Sequence, residues 1–296
     1  MTLNMYNLIY KYLKYMDNIE SSSKLTLKAY SNDLNQAFFD IISPEKITDL
    51  NLVSEKQLWN EARLGLNRWS KLSLASRNRK IATLKSFFNW LYQDKYIDKN
   101  YSHLLICPKV PKKIPHFISI DEVLSVISFY SNRQLNTKEK NEIILFLLLY
   151  GGGLRISEAC QLKWNQISFE QRKITVLGKG NRERIIVIPL FCIELLKELN
   201  KDPSVFVFGN APLNPRAGFE MIRQCGKKVN LMNNLNPHAL RHSFATHLLS
   251  SGVNLRILQK ILGHESLQAT EKYTHLSVDS LARTMQATHP LGKMKI

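Results

Sequence analysis

Apolar positions in the first hundred residues repeat at helical rather than strand intervals. Leu25, Leu27, Tyr30, Leu34, Phe38 and Phe39 recur at helical spacing, and Ile81, Leu84, Phe88 and Leu91 follow a 3-4-3 pattern that draws one apolar stripe along another helix. Ser76 is the expected N-cap of that helix, with Arg77, Arg79 and Lys80 filling its first turn. Cations at a helix start oppose the helix dipole. Nearby phosphates would relieve the conflict, and a solvated basic face accounts for it equally well. The helical pattern stops at about residue 106. Cys107 to Pro115 then holds Pro108, Pro111 and Pro115 with Lys109, Lys112 and Lys113. Proline removes a backbone donor and restricts the residue before it, so this stretch reads as an extended basic linker.

Beyond the linker the pattern is mixed. Ser119 or Asp121 can start a helix that runs through about Tyr130, and Asn141 to Tyr150 reads as a fully buried helix stopped by Gly151, Gly152 and Gly153. A helix from Arg155 to about Lys163 follows. The period then changes to two: Lys173–Leu177 and Arg184–Ile188 read as strands joined by Gly178–Asn181. Helical spacing returns after Pro189. The predicted fold class is mainly α (α+β). A helical domain covers residues 1–106, a Pro/Lys linker 107–117, and a mostly helical domain with a small antiparallel sheet 118–296.

Composition narrows the partners. Of 296 residues, 44% are hydrophobic and 22% charged, as expected of an ordinary globular protein, and the formal net charge is +17. The excess is spread along the chain: residues 1–110 carry 16 Lys/Arg against 10 Asp/Glu, and residues 111–296 carry 25 against 14. A polyanion touching both halves explains that spread, with nucleic acid the default. No apolar run approaches the ~18 residues of a membrane helix, and the N-terminus has no signal-peptide pattern, so a cytoplasmic location with no membrane partner is expected. Cys107, Cys160, Cys192 and Cys225 are too far apart for a zinc motif and suggest buried, reduced thiols.

Four separated clusters carry reactive side chains. In Gly151–Glu158 the glycines place Arg155 at a helix start, with Glu158 three residues on, and a purely structural Arg155–Glu158 pair fits as well. In Leu177–Arg184 a glycine-flanked Lys179 stands at a hairpin tip, where it can donate a proton or be an ordinary turn lysine. In Asn236–His247, Pro237 opens a helix that presents His238 and Arg241 on one side, while Leu240, Phe244 and Leu248 form its buried stripe. Arginine can hold a phosphate by paired hydrogen bonds and histidine can move a proton near neutral pH. His242 and His247 read as polar-face residues. In the fourth cluster, Gly263 ends an apolar helix, His264 follows, and Tyr273 comes nine residues later.

Taken in this order, Gly-Leu-Arg155-Ile-Ser-Glu158, Gly-Lys179-Gly-Asn, His238-Ala-Leu-Arg241-His, Leu-Gly-His264 and Tyr273-Thr-His resemble the catalytic domain of the tyrosine recombinases, or phage integrase family, from about Ser119 to Tyr273. The N-terminal helices resemble that family's DNA-clasping, core-binding domain, less specifically. With no room for an additional arm-binding domain, the chain looks most like the bacterial Xer group. The resemblance implies that Arg155 and Arg241 clamp the scissile phosphate and that His264 adds a third donor. It makes Lys179 the general acid for the leaving 5′ oxygen, His238 an aid to proton transfer, Tyr273 the nucleophile that forms a 3′-phosphotyrosyl link, and Glu158 the support of Arg155. It implies no cofactor and no metal, in keeping with the lack of an acidic cluster suited to Mg²⁺. Its implied partners are double-stranded DNA at a specific site and a homo- or hetero-tetramer with itself or a paralogous recombinase. A septal DNA translocase is suggested as an activator, and a short tail after the nucleophile is expected to pack into a neighbouring subunit. The implied role is resolution of chromosome dimers at cell division. The alternatives are a mobile-element or phage integrase with the same chemistry, a DNA-binding protein without catalysis, and a type IB topoisomerase.

Overall fold

The computed structural model describes residues 3–19, 24–42, 52–111, 117–177, 183–199, 205–262 and 278–294. The chain divides into two compact units, Met1–Lys113 and Ile114–Ile296. Its described elements are mostly helices, joined by short antiparallel strand pairings.

The first unit packs α1 (Met5–Asn18), α2 (Lys24–Ala37), the short α3 (Phe39–Ile42), α4 (Glu55–Arg68) and α5 (Leu74–Gln93), with β1 (Leu3–Asn4) paired to β2 (Leu52–Val53). Ile81, Leu84, Phe88 and Leu91 all face the core, as their spacing predicts. Aromatic rings fill that core: Tyr12 meets Phe87 edge-on at 5.2 Å between centroids, and Trp59 stacks on Tyr101 at 4.9 Å. The α2 stripe is narrower than the sequence implies. Leu34 and Phe38 are buried, whereas Leu25 in the first turn of α2 is exposed, and Phe39 is exposed because α2 ends at Ala37 and Phe39 opens a separate helix with a new facing.

The N-cap of α5 is Ser73, not Ser76. The Ser73 side chain accepts the backbone N–H of Ser76, so the helix begins one residue after Ser73 and Ser76 already lies inside it. Arg79 and Lys80 therefore fall beyond the first turn, and the anion they meet is a protein carboxylate. Asp33, 1% exposed, takes 2.7 Å hydrogen bonds from both and a further one from Thr83.

The second unit builds one core. Ser119 caps α6 (Ile120–Ser131) in a reciprocal capping box with Glu122. α7 (Thr137–Phe146) runs into a π-helical turn, Leu147–Gly151, and residues 142–150 are all buried. The short α8 (Ile156–Cys160) follows. β3 (Ile167–Ser168), β4 (Lys173–Leu177) and β5 (Glu183–Val187) form an antiparallel sheet in that order. β3 is too short for a period-two pattern to announce it. α9 (Leu190–Leu199), α10 (Pro215–Lys228), α11 (Pro237–Ser250), α12 (Leu255–Leu262) and α13 (Val278–Thr288) complete the unit.

One expectation is corrected here. Cys160, Cys192 and Cys225 are buried thiols, but Cys107 is exposed on the extended segment where no core exists to cover it. Residues 278–294 pack onto the core of this unit. Met285 and Leu291 are fully buried and His289 is 1% exposed. The His289 imidazole lies edge-on to Tyr150, accepts the Leu291 backbone N–H at Nδ1 and, with its proton on Nε2, donates to the Tyr150 carbonyl. Burial pushes this histidine down to about 4, so it is neutral at physiological pH.

Candidate active site

Three arginines and one carboxylate converge beside the π-helical turn. The wide turn ends in glycines, and Gly153 adopts φ +62, a left-handed conformation that side chains rarely take. A Cβ there would also meet the Phe244 ring at 2.6 Å. Gly153 thus lets the loop lie directly on α11 and sets Arg155 immediately before α8. Arg155 is the N-cap of α8, with extended backbone, rather than a residue of the helix as its spacing suggested.

Glu158, at N3 of α8, is the hub. It accepts the Arg155 backbone N–H at 2.7 Å and the Arg155 guanidinium at 2.8 Å. It also accepts a two-pronged contact from Arg184 of β5, at 2.6 and 2.8 Å. Each carboxylate oxygen therefore receives two hydrogen bonds. Burial pushes the Glu158 carboxyl up, but the bonds from Arg184 and Arg155 outweigh that and hold it below the ordinary carboxylate range. The Arg155 side chain remains 43% exposed, against 13% for Arg184.

Arg241 comes from α11, where Asn236 caps the helix through the Ala239 N–H and Pro237 occupies the first turn. Leu240, Phe244 and Leu248 anchor the helix in the core, as predicted. Among the described residues the Arg241 guanidinium touches no carboxylate. It donates to the Gly153 carbonyl and, at 2.8 Å, to the Leu262 carbonyl at the end of α12. Burial, with repulsion from Arg155 and Arg184 added, lowers it to about 10. His238 is exposed on α11, one turn before Arg241. Arg155, Arg241 and Glu158 are thus brought together, with His238 on the same helix as Arg241. Lys179, His264 and Tyr273 lie outside the described residues.

The motifs did not point to Arg184, although its place on the strand gives a signal. It alternates with Ile186 on the inward face of β5 and pairs in register with buried Val176. A charged residue at an inward strand position needs a buried counter-ion. His247 does not lie on a purely polar face. It is half-buried and shares a 2.8 Å hydrogen bond with the Tyr150 hydroxyl.

Residues 116–279 match the phage integrase family, and residues 9–95 match the phage integrase N-terminal SAM-like domain. The chain belongs to the phage integrase family of tyrosine recombinases. It is 30% identical to the tyrosine recombinase XerC of Thermodesulfovibrio yellowstonii, over 96% of this chain and 97% of that protein. It is 33% identical to the tyrosine recombinase XerD of Staphylococcus aureus, over 97% and 99%. The XerH site-specific recombinase bound to its difH substrate shares the fold, with a TM-score of 0.61 and 23% identity over 96% of each chain. This tyrosine recombinase is accordingly a DNA strand-exchange enzyme. No described helix is long and apolar enough to cross a membrane.

Proposed function

We propose that this recombinase acts in the cytoplasm at a specific chromosomal DNA site, as a tetramer with itself or a paralogue, and resolves chromosome dimers at cell division. A septal DNA translocase is the proposed activator. The Xer names of relatives matched along nearly their full lengths support that role over integration of a mobile element. The observation that carries the chemistry is the surplus of positive charge around Glu158. Two guanidiniums share the Glu158 carboxylate, and a third, Arg241, is held by neutral carbonyls alone among the described residues. Such a site is short of an anion, and a phosphodiester supplies one.

In this reading Arg155 and Arg241 clamp the scissile phosphate, with His264 as a third donor. The phenolic oxygen of Tyr273 attacks phosphorus, and His238 assists removal of its proton. The bond to the 5′ oxygen breaks as Lys179 protonates that oxygen. The strand is left as a 3′-phosphotyrosyl ester and a free 5′ hydroxyl, and attack by another strand's hydroxyl reverses the step. The ester conserves the bond energy, so rejoining needs no nucleotide cofactor. The pentacoordinate transition state concentrates negative charge on the phosphate oxygens, where preset guanidiniums act most strongly. Residues 1–106 clasp the duplex, with the 107–117 segment as linker to the catalytic domain, residues 118–296.

The test is covalent trapping on a nicked suicide duplex that carries the candidate chromosomal site, alone and with the paralogue. A denaturant-resistant adduct that is lost in Tyr273→Phe is expected. An adduct that persists in Tyr273→Phe, or tight binding with no adduct on any site or with any partner, overturns the reading. Adduct formation at mobile-element ends but not at the chromosomal site moves the function to integration.

A further inference from the structure

We infer that Arg184 is a positioning residue of strand cleavage: through Glu158 it fixes Arg155 and neutralises the carboxylate that would otherwise cancel the Arg155 charge. The inference rests on the recombinase reading above. Glu158 is the described carboxylate that touches Arg155, and an isolated Arg155–Glu158 pair would present no net charge to a phosphate. Arg184 changes that balance. Its planar fork meets both Glu158 oxygens, at 2.6 and 2.8 Å, from the inward face of β5. It is the more buried of the two arginines on Glu158. The carboxylate is thus matched in charge by a group that faces the core, while Arg155 keeps its charge and its half-exposed position.

The same contacts fix geometry. With all four acceptor positions of Glu158 used, the carboxylate cannot rotate, and the Arg155 guanidinium and backbone are both referred to it. Lysine in place of Arg184 would keep the charge but lose the fork, because an ammonium is a point donor. Arg184 also stands near the turn end of the β4–β5 ladder, whose connecting residues include Lys179, so a role through that lysine is the rival explanation.

The experiment measures single-turnover cleavage of the suicide duplex by the full chain at saturating protein, with DNA affinity and melting temperature measured separately. Arg184→Gln is expected to slow cleavage by more than about tenfold at nearly unchanged affinity, as for a group felt mainly in the transition state. Arg184→Lys should recover part of the loss. In an Arg155→Gln background, Arg184→Gln should add less than about twofold, because the two act as one unit. A substrate whose 5′ leaving oxygen is replaced by sulfur needs no general acid. It should rescue Lys179→Ala and leave Arg184→Gln slow. Where Arg184→Gln fails to fold, Arg184→Lys with wild-type melting temperature carries the comparison. Wild-type rates in Arg184→Gln, additivity with Arg155→Gln, or rescue by the sulfur substrate would each overturn the inference. Failure of the wild-type chain to form any adduct instead defeats the recombinase reading itself.

Discussion

Buried Asp33 in the first unit and part-buried Glu158 in the second hold basic side chains in different ways. Asp33 takes Arg79, Lys80 and Thr83, and Lys80 also reaches Gln36 at 2.7 Å and lies over the Trp69 ring. That cluster ties α2 to α5, and its cations terminate on the carboxylate or on neutral neighbours inside the unit. Glu158 also takes two cations, but a third, Arg241, stands within electrostatic reach without touching it. The Asp33 cluster sets two cations against one carboxylate, and the Glu158 cluster sets three, the third of them held off the carboxylate. The difference lies in what the extra cation binds, because carbonyl oxygens orient a guanidinium without neutralising it. A buried salt bridge is weak evidence of function, whereas a buried excess of one sign is a reason to look for a ligand.

The sharpest way to break this comparison is to remove the central groups. Asp33→Ala should cost about 3–5 kcal/mol in urea unfolding, because it leaves Lys80 buried without its counter-ion. Arg155→Ala should do the reverse, lowering single-turnover cleavage by about 10²–10³-fold as for loss of one transition-state donor, while its half-exposed side chain costs about 1 kcal/mol or less of stability. If Arg155→Ala unfolds the chain as readily as Asp33→Ala does, the two clusters are the same kind of structural pair.

A pH titration tests how firmly the chain's end is seated behind the second cluster. His289 has its folded-state value lowered to about 4, so between the ordinary histidine value and about 4 the unfolded chain binds the extra proton. Stability from this group is therefore full above about pH 6.5 and is lost as pH falls toward 4, by roughly 3 kcal/mol in all. His289→Gln keeps an amide donor for the Tyr150 carbonyl but cannot titrate. Urea midpoints of wild type and variant should converge as pH falls, and parallel curves would show that the tail is not docked through a neutral imidazole. The smallest effect concerns α5, which carries Arg79 and Lys80. Ser73→Ala should cost about 1 kcal/mol and Ser76→Ala only a few tenths, and equal losses would return the cap to Ser76.

Several features were legible from residue order. The stripes Ile81-Leu84-Phe88-Leu91 and Leu240-Phe244-Leu248, the Ser119 capping box and the β4–β5 pairing depend on neighbours a few residues apart, where backbone geometry alone decides who meets whom. The arginine cluster was partly legible in the same way. Glu158 lies three residues from Arg155, and Pro237 marks the helix that carries Arg241. Arg184 was not, because its partner is 26 residues away and its inward direction becomes clear only when β5 is paired with β4.

The sequence by itself determined the class of fold, the basic character of both halves and the family motifs, because these are properties of composition, period and local spacing. Tertiary structure decided which anion each cation meets. Lys80 is buried against Asp33 and the half-exposed Arg79 reaches the same carboxylate, Arg241 rests on backbone carbonyls, and His289 folds back under Tyr150. Pairings of that kind depend on packing between distant segments and on the cost of leaving a polar group buried without a partner, which no local pattern records.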